Sequence, residues 1–477
     1  MRHRKNKTSG DQESKDEETE NNALGRKMRP SLGHSLSRLF DRLDFIIYGA
    51  TGFHGKNTVL MAASMICSGK WGFGGRDKEK LNNLLLEING KNEGSYKRCR
   101  VFIADTSNTT SLKKMTSKCQ VLINCCGSYN RTAEDIIKSC LSTRTHYVDI
   151  CNDVHFLELL QLKYHEEAKR RNVYIIFACG FKGLPMDVGF NFLRDNFDGT
   201  VNSVEAHTRY DTTAPIICQP IISASLWESF LKNCSRIFRS FRAHHMAKVR
   251  EFRNLEPKTT FRFGIHKNRV IGGHSAAYPF LDQQIVENSQ YYMYKKDHKR
   301  PIQINNYIAF RLVLFLTTWL RYFIMTLTFI IWNVTIAVLC RFQWMRIFLL
   351  KYPRIFSLGY ASHDGPKEFY SENLIFDITL NAVGWSSIDD AANLTNTQFL
   401  SQWGLPRKRM TIKIQGNNPF YKASPLCVLA SALTILRERD FMPSLGGVYF
   451  PGAAFAETNI VPLLERNGTG IIFEVLN

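Results

Sequence analysis

The residues with the clearest chemical purpose are Gly49-Ala50-Thr51-Gly52-Phe53-His54-Gly55, a G-x-x-G-x-x-G spacing that follows the apolar run Phe45-Ile46-Ile47-Tyr48. Gly49 allows a tight turn, Gly52 lets the main chain approach a pyrophosphate, and Gly55 lets the next helix pack close to the strand. Lys56 to Cys67 contains no proline and reads as that helix. Its N-terminus would present free N–H groups and a positive dipole end to an anion. Glycines alone describe a turn; with a strand before and a helix after them, they describe a dinucleotide site. Thr51 and Phe53, in the same loop, join Gly49, Gly52 and Gly55 as expected cofactor contacts.

Arg76 ends the expected second strand, where a NAD-selective site usually carries an acid for the ribose hydroxyls. A guanidinium there suits a 2′-phosphate, so NADP is favoured over NAD; the alternative is a solvated arginine opening a helix. Asp105, ending the third strand, either lines the adenine pocket or caps the next helix. Gly127 follows the fourth strand and is expected beside the cofactor. Tyr129 is a candidate proton donor or a stacked structural tyrosine. Lys182 is a candidate ligand for a phosphate or carboxylate, or a surface lysine. His54 reads as solvated near the helix start. No acid–base pair stands out in the chain.

Those residues need a doubly wound sheet to position them. Short β-branched or aromatic runs at Trp71–Gly75, Val101–Asp105, Val121–Cys125, Tyr147–Ile150 and Val173–Phe177 alternate with helix-length segments. The helices are expected over Asp77–Ile88, after a cap at Ser107, near Ala133–Cys140 and over Val154–Arg171. This is the pattern of parallel βαβ units and an α/β fold. The second strand is the weakest, because three of its five residues are glycine; the alternative role of those glycines is to admit an adenosine close to the backbone. Cys125 and Cys126 are expected inside the fourth strand.

The chain resembles the saccharopine dehydrogenase-like oxidoreductase family of animals. The resemblance rests on G-A-T-G-F-x-G at 49–55, G-R-x-x-x-K-L at 75–81, I-N-C-x-G-x-Y at 123–129 and Y-V-D-I at 147–150. It continues through F-L-E-L-x-Q-L-K-Y-H-E at 156–166, G-F-x-x-x-P-x-D-x-G at 180–189 and G-G-V-x-x-P-G-A-A-F at 446–455. It implies a Rossmann domain joined to an α/β substrate domain, an oxidoreductase role, and association with lipid droplets and other membranes. Bacterial relatives of that family act as trans-acting enoyl reductases in glycolipid synthesis, which points to a lipid-like substrate rather than to saccharopine. Departures from the family pattern fall at Lys182-Gly183, Gly127-Ser128-Tyr129, Asn152-Asp153 and Ser225-Leu226. Intact cofactor glycines beside a drifted pocket fit a changed substrate or a nucleotide-binding protein without turnover. The Tyr-x-x-x-Lys of short-chain dehydrogenases finds its one appealing match at Tyr292 and Lys296, far past the Rossmann strands, and reads as incidental.

Composition bounds the rest. The polar first forty or so residues, with no apolar stretch after the early arginines, read as a disordered extension rather than a signal peptide. Twelve cysteines without C-x-x-C spacing point to reduced thiols in a cytosolic setting, and no His/Cys cluster has zinc spacing. The net charge is +20, and Leu231 to Arg354 holds 21 Lys or Arg against 5 Asp or Glu, a net of +16. No nucleic-acid motif accompanies that excess. It is interleaved instead with apolar sequence, above all the uncharged Tyr322–Cys340, bracketed by Arg311, Arg321, Arg341, Arg346, Lys351 and Arg354.

Nineteen residues sit at the short end of what crosses a bilayer, and positive charge on both flanks gives no orientation. A single span would also separate 446–455 from the Rossmann part. The expectation is therefore a monotopic element over 307–352, helped by a basic amphipathic helix within 232–253, both lying on anionic lipid or a lipid-droplet surface. The expected organisation is an extension over 1–41, a Rossmann domain over 42–190, a first substrate-domain part over 191–300, a membrane segment over 301–354 and a second substrate-domain part with C-terminal return over 355–477.

Overall fold

From Leu43 to Ile176 the alternation of short apolar runs and periodic segments folds as successive β–α units. They are β1 (Leu43–Tyr48), α1 (Phe53–Met65), β2 (Trp71–Gly75), α2 (Lys78–Lys91), β3 (Arg100–Ile103), α3 (Thr109–Thr116), β4 (Cys119–Asn124), α4 (Tyr129–Thr143), β5 (His146–Asp149), α5 (Val154–Arg170) and β6 (Tyr174–Ile176). The computed structural model describes residues 42–66, 70–91, 99–212, 222–223, 227–228, 230–231, 255–262, 264–268, 270–277, 282–310, 327, 331–332, 334–336, 338–357, 359, 361–363, 372–386, 404–465 and 470–476. The expected extension over 1–41, the basic helix within 232–253 and the Ser225-Leu226 departure lie outside them.

The chain continues with α6 (Leu184–Asn196), β7 (Thr200–Thr212), β8 (Ile222–Ser223), β9 (His266–Asn268), β10 (Gly273–Ala277), α7 (Asp282–Asp297), β11 (Gln303–Phe310), α8 (Gln343–Lys351), α9 (Pro353–Phe356), β12 (Ala361–Ser362) and β13 (Leu374–Trp385). It closes with β14 (Lys408–Asn417), α10 (Ser424–Arg437), β15 (Gly447–Tyr449), α11 (Pro451–Ala454), α12 (Ile460–Glu465) and β16 (Ile472–Leu476). Among the described residues the first sheet has the order β15-β6-β5-β4-β1-β2-β3, and its strands pair in parallel. The chain leaves β1 toward β2 on one side and later returns to β4 on the other. The crevice at this reversal, beyond the strand C-termini, is where such sheets bind ligands. The second sheet has the order β16-β14-β13-β7-β11-β10-β9, antiparallel except where β7 meets β11. The fold is thus α/β, a doubly wound parallel sheet with a second, mixed-sheet α/β part.

Several local expectations change. Despite its glycines, β2 is buried throughout and sits between β1 and β3. A Cβ on Gly74 would come within 3.0 Å of the Phe102 carbonyl oxygen and 3.1 Å of Met115 Sδ on α3. The strand is stabilised by its neighbours, and the absent side chain at Gly74 leaves room for Met115 of α3. Strand β4 stops at Asn124, so Cys125 and Cys126 lie in the turn after it. Ser107 does not cap α3: its N–H and hydroxyl both go to Asp105 Oδ1, and Asn108 accepts from Ser111 N at 3.0 Å instead.

Two larger corrections concern the C-terminal half. Residues 303–310 form β11, with Tyr307 fully buried between β7 and β10, so neither a 301–354 nor a 307–352 lipid-contacting segment can start before 311. The stretch 355–477 does not belong wholly to the second part. Its β15 extends the first sheet beside β6, and α10 packs on α1, β4 and β5. The described helix long and apolar enough to cross a membrane is Pro419–Arg437, and it is mostly buried as this core helix.

Asp187 pins the two halves. Its Oδ2 accepts 2.6 Å bonds from Ser289 Oγ on α7 and from the Gly452 N–H of α11. A Cβ at Gly452 would lie 2.4 Å from Asp187 Oδ1, so the carboxylate fits only against glycine. Burial pushes the Asp187 carboxyl up to about 7. The fold therefore holds a proton that the unfolded chain releases in the ordinary carboxylate range. This stabilising term is full below that range and is lost as pH rises through about 7. Asp187→Asn keeps an acceptor and never ionises. Its stability relative to the wild type, measured by urea denaturation, is expected to improve from pH 5 up to about pH 7 and then to level off, and a constant difference would contradict the assignment.

Candidate dinucleotide site and active-site cleft

The loop after β1 shows why each glycine is needed. Gly49 has φ +81°, and a Cβ there would lie 2.7 Å from Cys126 N in the turn after β4. Gly49 and Ala50 both donate to the Gly74 carbonyl, at 3.0 and 3.1 Å, which pulls the loop onto the end of β2. A Cβ on Gly55 would lie 2.1 Å from Gly49 O, so α1 starts against the loop at a distance only hydrogen allows. Gly52 differs: a Cβ would meet nothing nearer than Gly49 O at 3.4 Å. Gly52 is exposed, precedes α1 as its N-cap, and offers no side-chain cap of its own. The space and the first N–H groups of α1, which have no intrahelical acceptors, are what an anion requires. Thr51 is exposed beside it, and Phe53 packs edge-on against Tyr421, with ring centroids 4.7 Å apart.

Arg76 and Asp105 lie outboard of this cradle. Arg76 is exposed at the end of β2, and its charge favours ionisation of Asp105 and Cys126 nearby. Asp105 accepts from the N–H and hydroxyl of Ser107 at 2.9 Å each, and these bonds, then Arg76, hold its carboxyl below the usual range. Asp105 therefore braces a turn and does not cap α3. Tyr48 ends β1 beneath them and donates its hydroxyl to Ala104 O at 3.2 Å.

Inboard, a cleft of ≈ 860 Å³, solvent-open space included, has His54, Gly127, Tyr129, Lys182, Glu228 and Phe420 in its lining. Gly127 is exposed, and a Cβ there would meet nothing within 4 Å, so that side of the cleft is open. Tyr129 lines the cleft, but its hydroxyl donates to Asn124 O at 3.1 Å. Burial raises its pKa well above the ordinary tyrosine value. This is a structural tyrosine, hydrogen-bonded to the end of β4. Lys182 projects its ammonium over the Tyr210 ring at 5.0 Å and the Phe181 ring at 5.9 Å, which fixes a cation at the cleft wall. His54 is half-buried rather than solvated. Its Nδ1 is buried without a hydrogen-bond partner among the described residues, and burial pushes the ring down to about 4, so it stays neutral at physiological pH.

Below the cleft runs a network that the sequence showed only as separate strand ends. Asn124 donates to Tyr147 Oη at 2.9 Å, and Tyr147 donates to Asp149 Oδ2 at 2.9 Å. Asp149 Oδ1 accepts from Ala178 N at 3.0 Å and Cys151 N at 3.2 Å. One buried carboxyl thus ties the ends of β4, β5 and β6 together, and burial lifts it to about 7. Phe420 and Ser424 also reach the cleft, and Ser424 Oγ accepts from Phe181 N at 3.4 Å. Tyr292 and Lys296 lie on α7 beside Met442 and Ala453, away from this cleft. Among the described residues no group of His, Cys, Asp and Glu has a metal-holding arrangement, and the nine described cysteines are free thiols.

A strand-order reversal, a glycine cradle and a cleft at the strand ends define a Rossmann-type dinucleotide-dependent fold. Residues 45–176 match the family model described as the saccharopine dehydrogenase NADP binding domain. A rat protein named saccharopine dehydrogenase-like oxidoreductase is 29% identical over 91% of this chain and 97% of its own length. A Caenorhabditis elegans protein named lipid droplet localized protein is 26% identical over 90% of this chain and 97% of its own. In fold, the chain is similar to apo saccharopine dehydrogenase (L-Glu forming) from Saccharomyces cerevisiae, with a TM-score of 0.50 at 10% identity, covering 91% of this chain and 99% of that one. Over nine-tenths of its length the chain is thus similar to saccharopine dehydrogenase-like oxidoreductases, and residues 45–176 match the NADP-binding domain of saccharopine dehydrogenase.

Arg76 provides the test of cofactor choice. Arg76→Ala is expected to weaken NADPH binding by about tenfold or more, the scale of a lost charge-assisted contact, and to leave NADH binding unchanged. Equal loss for both, measured by calorimetry, would remove Arg76 from 2′-phosphate recognition.

Proposed function

We propose that this chain is an NADP(H)-dependent oxidoreductase working at a lipid surface on a hydrophobic, lipid-like substrate. The observation that carries the reading is the contrast between the glycines. At Gly49 and Gly55 a side chain would strike backbone at 2.7 and 2.1 Å, while at Gly52 there is room that fold packing does not use. NADP(H), when bound, supplies or accepts the hydride. The chain's residues do the positioning. Gly52 and the start of α1 receive the pyrophosphate, Arg76 the 2′-phosphate, and the open side at Gly127 accommodates the rings. Phe181 and Phe420 exclude water, Lys182 meets a carboxylate or phosphate on the substrate, and neutral His54 offers a hydrogen bond without adding charge.

The lipid-surface part rests on exposure. Ile331, Val334 and Val338 are 55%, 54% and 49% exposed, and Trp344, Ile347 and Ile355 are 66%, 61% and 67% exposed. Arg341, Lys351 and Arg354 are exposed among them. Large apolar side chains facing water together mark an interaction surface, and interleaved cations suit anionic lipid. The name of the C. elegans relative agrees with a lipid-droplet location. On this reading the protein is monotopic, on the cytosolic face of membranes.

A second reading, nucleotide binding without turnover, draws on Tyr129, whose hydroxyl is committed to Asn124 O. Both readings require the cofactor; only the first requires hydride transfer. Full-length protein is expected to bind NADPH with a dissociation constant on the order of micromolar, about −8 kcal/mol. Gly52→Asp, whose carboxylate would occupy the anion's place, should abolish binding without unfolding the protein. The same heat signal from the variant would overturn the assignment. If the wild type binds but oxidises no NADPH across a panel of lipid carbonyl and enoyl compounds, the second reading stands.

A further inference from the structure

The exposed apolar residues of 331–355 belong to an element whose inner side has a small core of its own. Trp227, Leu231, Ile336, Cys340, Leu349 and Ala361 are buried together, and the Trp227 indole N–H donates to Leu349 O of α8 at 3.1 Å. Phe230 stacks between Trp227 and Trp332, at 5.4 and 5.9 Å, with both interplanar angles at 21°. Strand β8 pairs with β12, which ties 222–223 to 361–362 in the same assembly. The residue after Trp227 is Glu228, and Glu228 lines the cleft that holds Lys182, His54 and Gly127. Two consecutive residues therefore belong to two places, one in the core under the lipid-facing helix and the other in the cleft wall.

We infer that seating on an anionic phospholipid surface and shaping of the cleft are coupled through Trp227 and Glu228. The inference rests on the function proposed above. The commitment to anionic lipid comes from charge complementarity: the exposed apolar residues Ile331, Trp344, Ile347 and Ile355 are accompanied by exposed Arg341, Lys351 and Arg354. A surface discriminates between arrangements of this element only if it binds one better than another. It does so here, because the apolar residues enter lipid together only when α8 is seated on Trp227. A small core with its outer side in water is the least stable part of such an assembly. Lipid removes that outer side from water, fixes α8 on Trp227 and fixes Glu228 in the cleft. Binding in the cleft is thereby strengthened where a lipid substrate is available and weakened elsewhere.

The test uses full-length protein, NADPH as the probe, and vesicles of phosphatidylcholine with and without phosphatidylserine. Flotation reports seating, and NADPH fluorescence reports affinity. The wild type is expected to float with the anionic vesicles and to bind NADPH about fivefold tighter or more on them, the lower end of ordinary coupling between sites. Trp227→Phe keeps an aromatic ring but loses the bond to Leu349 O, and is expected to float more weakly and to lose the tightening. Trp344→Ser combined with Ile347→Ser should stop flotation and leave the solution affinity for NADPH as it was. Wild-type protein that floats yet binds NADPH equally with and without vesicles overturns the coupling. NADPH binding without flotation overturns the lipid surface as the occupant, and the coupling with it, but spares the cofactor reading. Absence of NADPH binding in every state overturns the cofactor reading itself.

Discussion

Everything at the site depends on how closely α1 is allowed to approach the loop that precedes it. Gly49 O sits where the Cβ of any residue at 55 would have to be, and Gly49 itself passes the Cys126 main chain with no space for a side chain. Backbone–backbone contact of this kind cannot be relaxed by a rotamer change, so it fixes the loop, the start of α1 and the turn after β4 together. The helix start then faces the crevice, and Gly52 leaves the last gap open. Small buried residues continue the contact: Val59, Ala62 and Ala63 of α1 belong to the same core as α10.

The second constraint is the use of buried carboxyls as ties. Asp149 gathers donors from Tyr147, Cys151 and Ala178, and Asp187 gathers donors from α7 and α11. Each satisfies several buried groups at once, and leaving such donors unmet costs about 1–3 kcal/mol apiece. Burial raises both carboxyls, so their contribution is greatest in acid and declines through neutrality. His54 works in the opposite direction. Its ring is driven toward the neutral form, and its stabilising share is present at neutral pH and lost as pH falls from the ordinary histidine range toward about 4.

Much of this was legible in the chain because it is local. The run 45–55 sets a strand, a turn and a helix within eleven residues, and β3 to β6 follow from short apolar runs between helix-length segments. What was not legible is long-range. Nothing near Gly447–Tyr449 says that it pairs with Tyr174–Ile176, and nothing near Pro419 says that Phe420 reaches a cleft formed by residues 54 to 182. His54 was misread because its burial comes from that distant return. Gln303–Phe310 was partly absorbed into an apolar region because hydrophobicity alone does not separate a buried strand from a lipid-facing segment; Tyr307 is covered by Phe261, His207 and His266, which sequence adjacency does not show. Ser107 and Asn108 are both good caps, and the choice between them was made by Asp105, which occupies Ser107.

The site is therefore a Rossmann-type cofactor cradle joined to a cleft assembled from three distant stretches, with the element that carries the exposed Trp344 and Ile347 attached to one wall. The most direct test is a structure of the protein with NADPH bound. The pyrophosphate is expected in the gap beside Gly52, at the Phe53 N–H and its neighbours that open α1, with the 2′-phosphate on Arg76 and the nicotinamide between Gly127 and Lys182. A nucleotide bound elsewhere, or one that leaves the Gly52 gap to water, would contradict it.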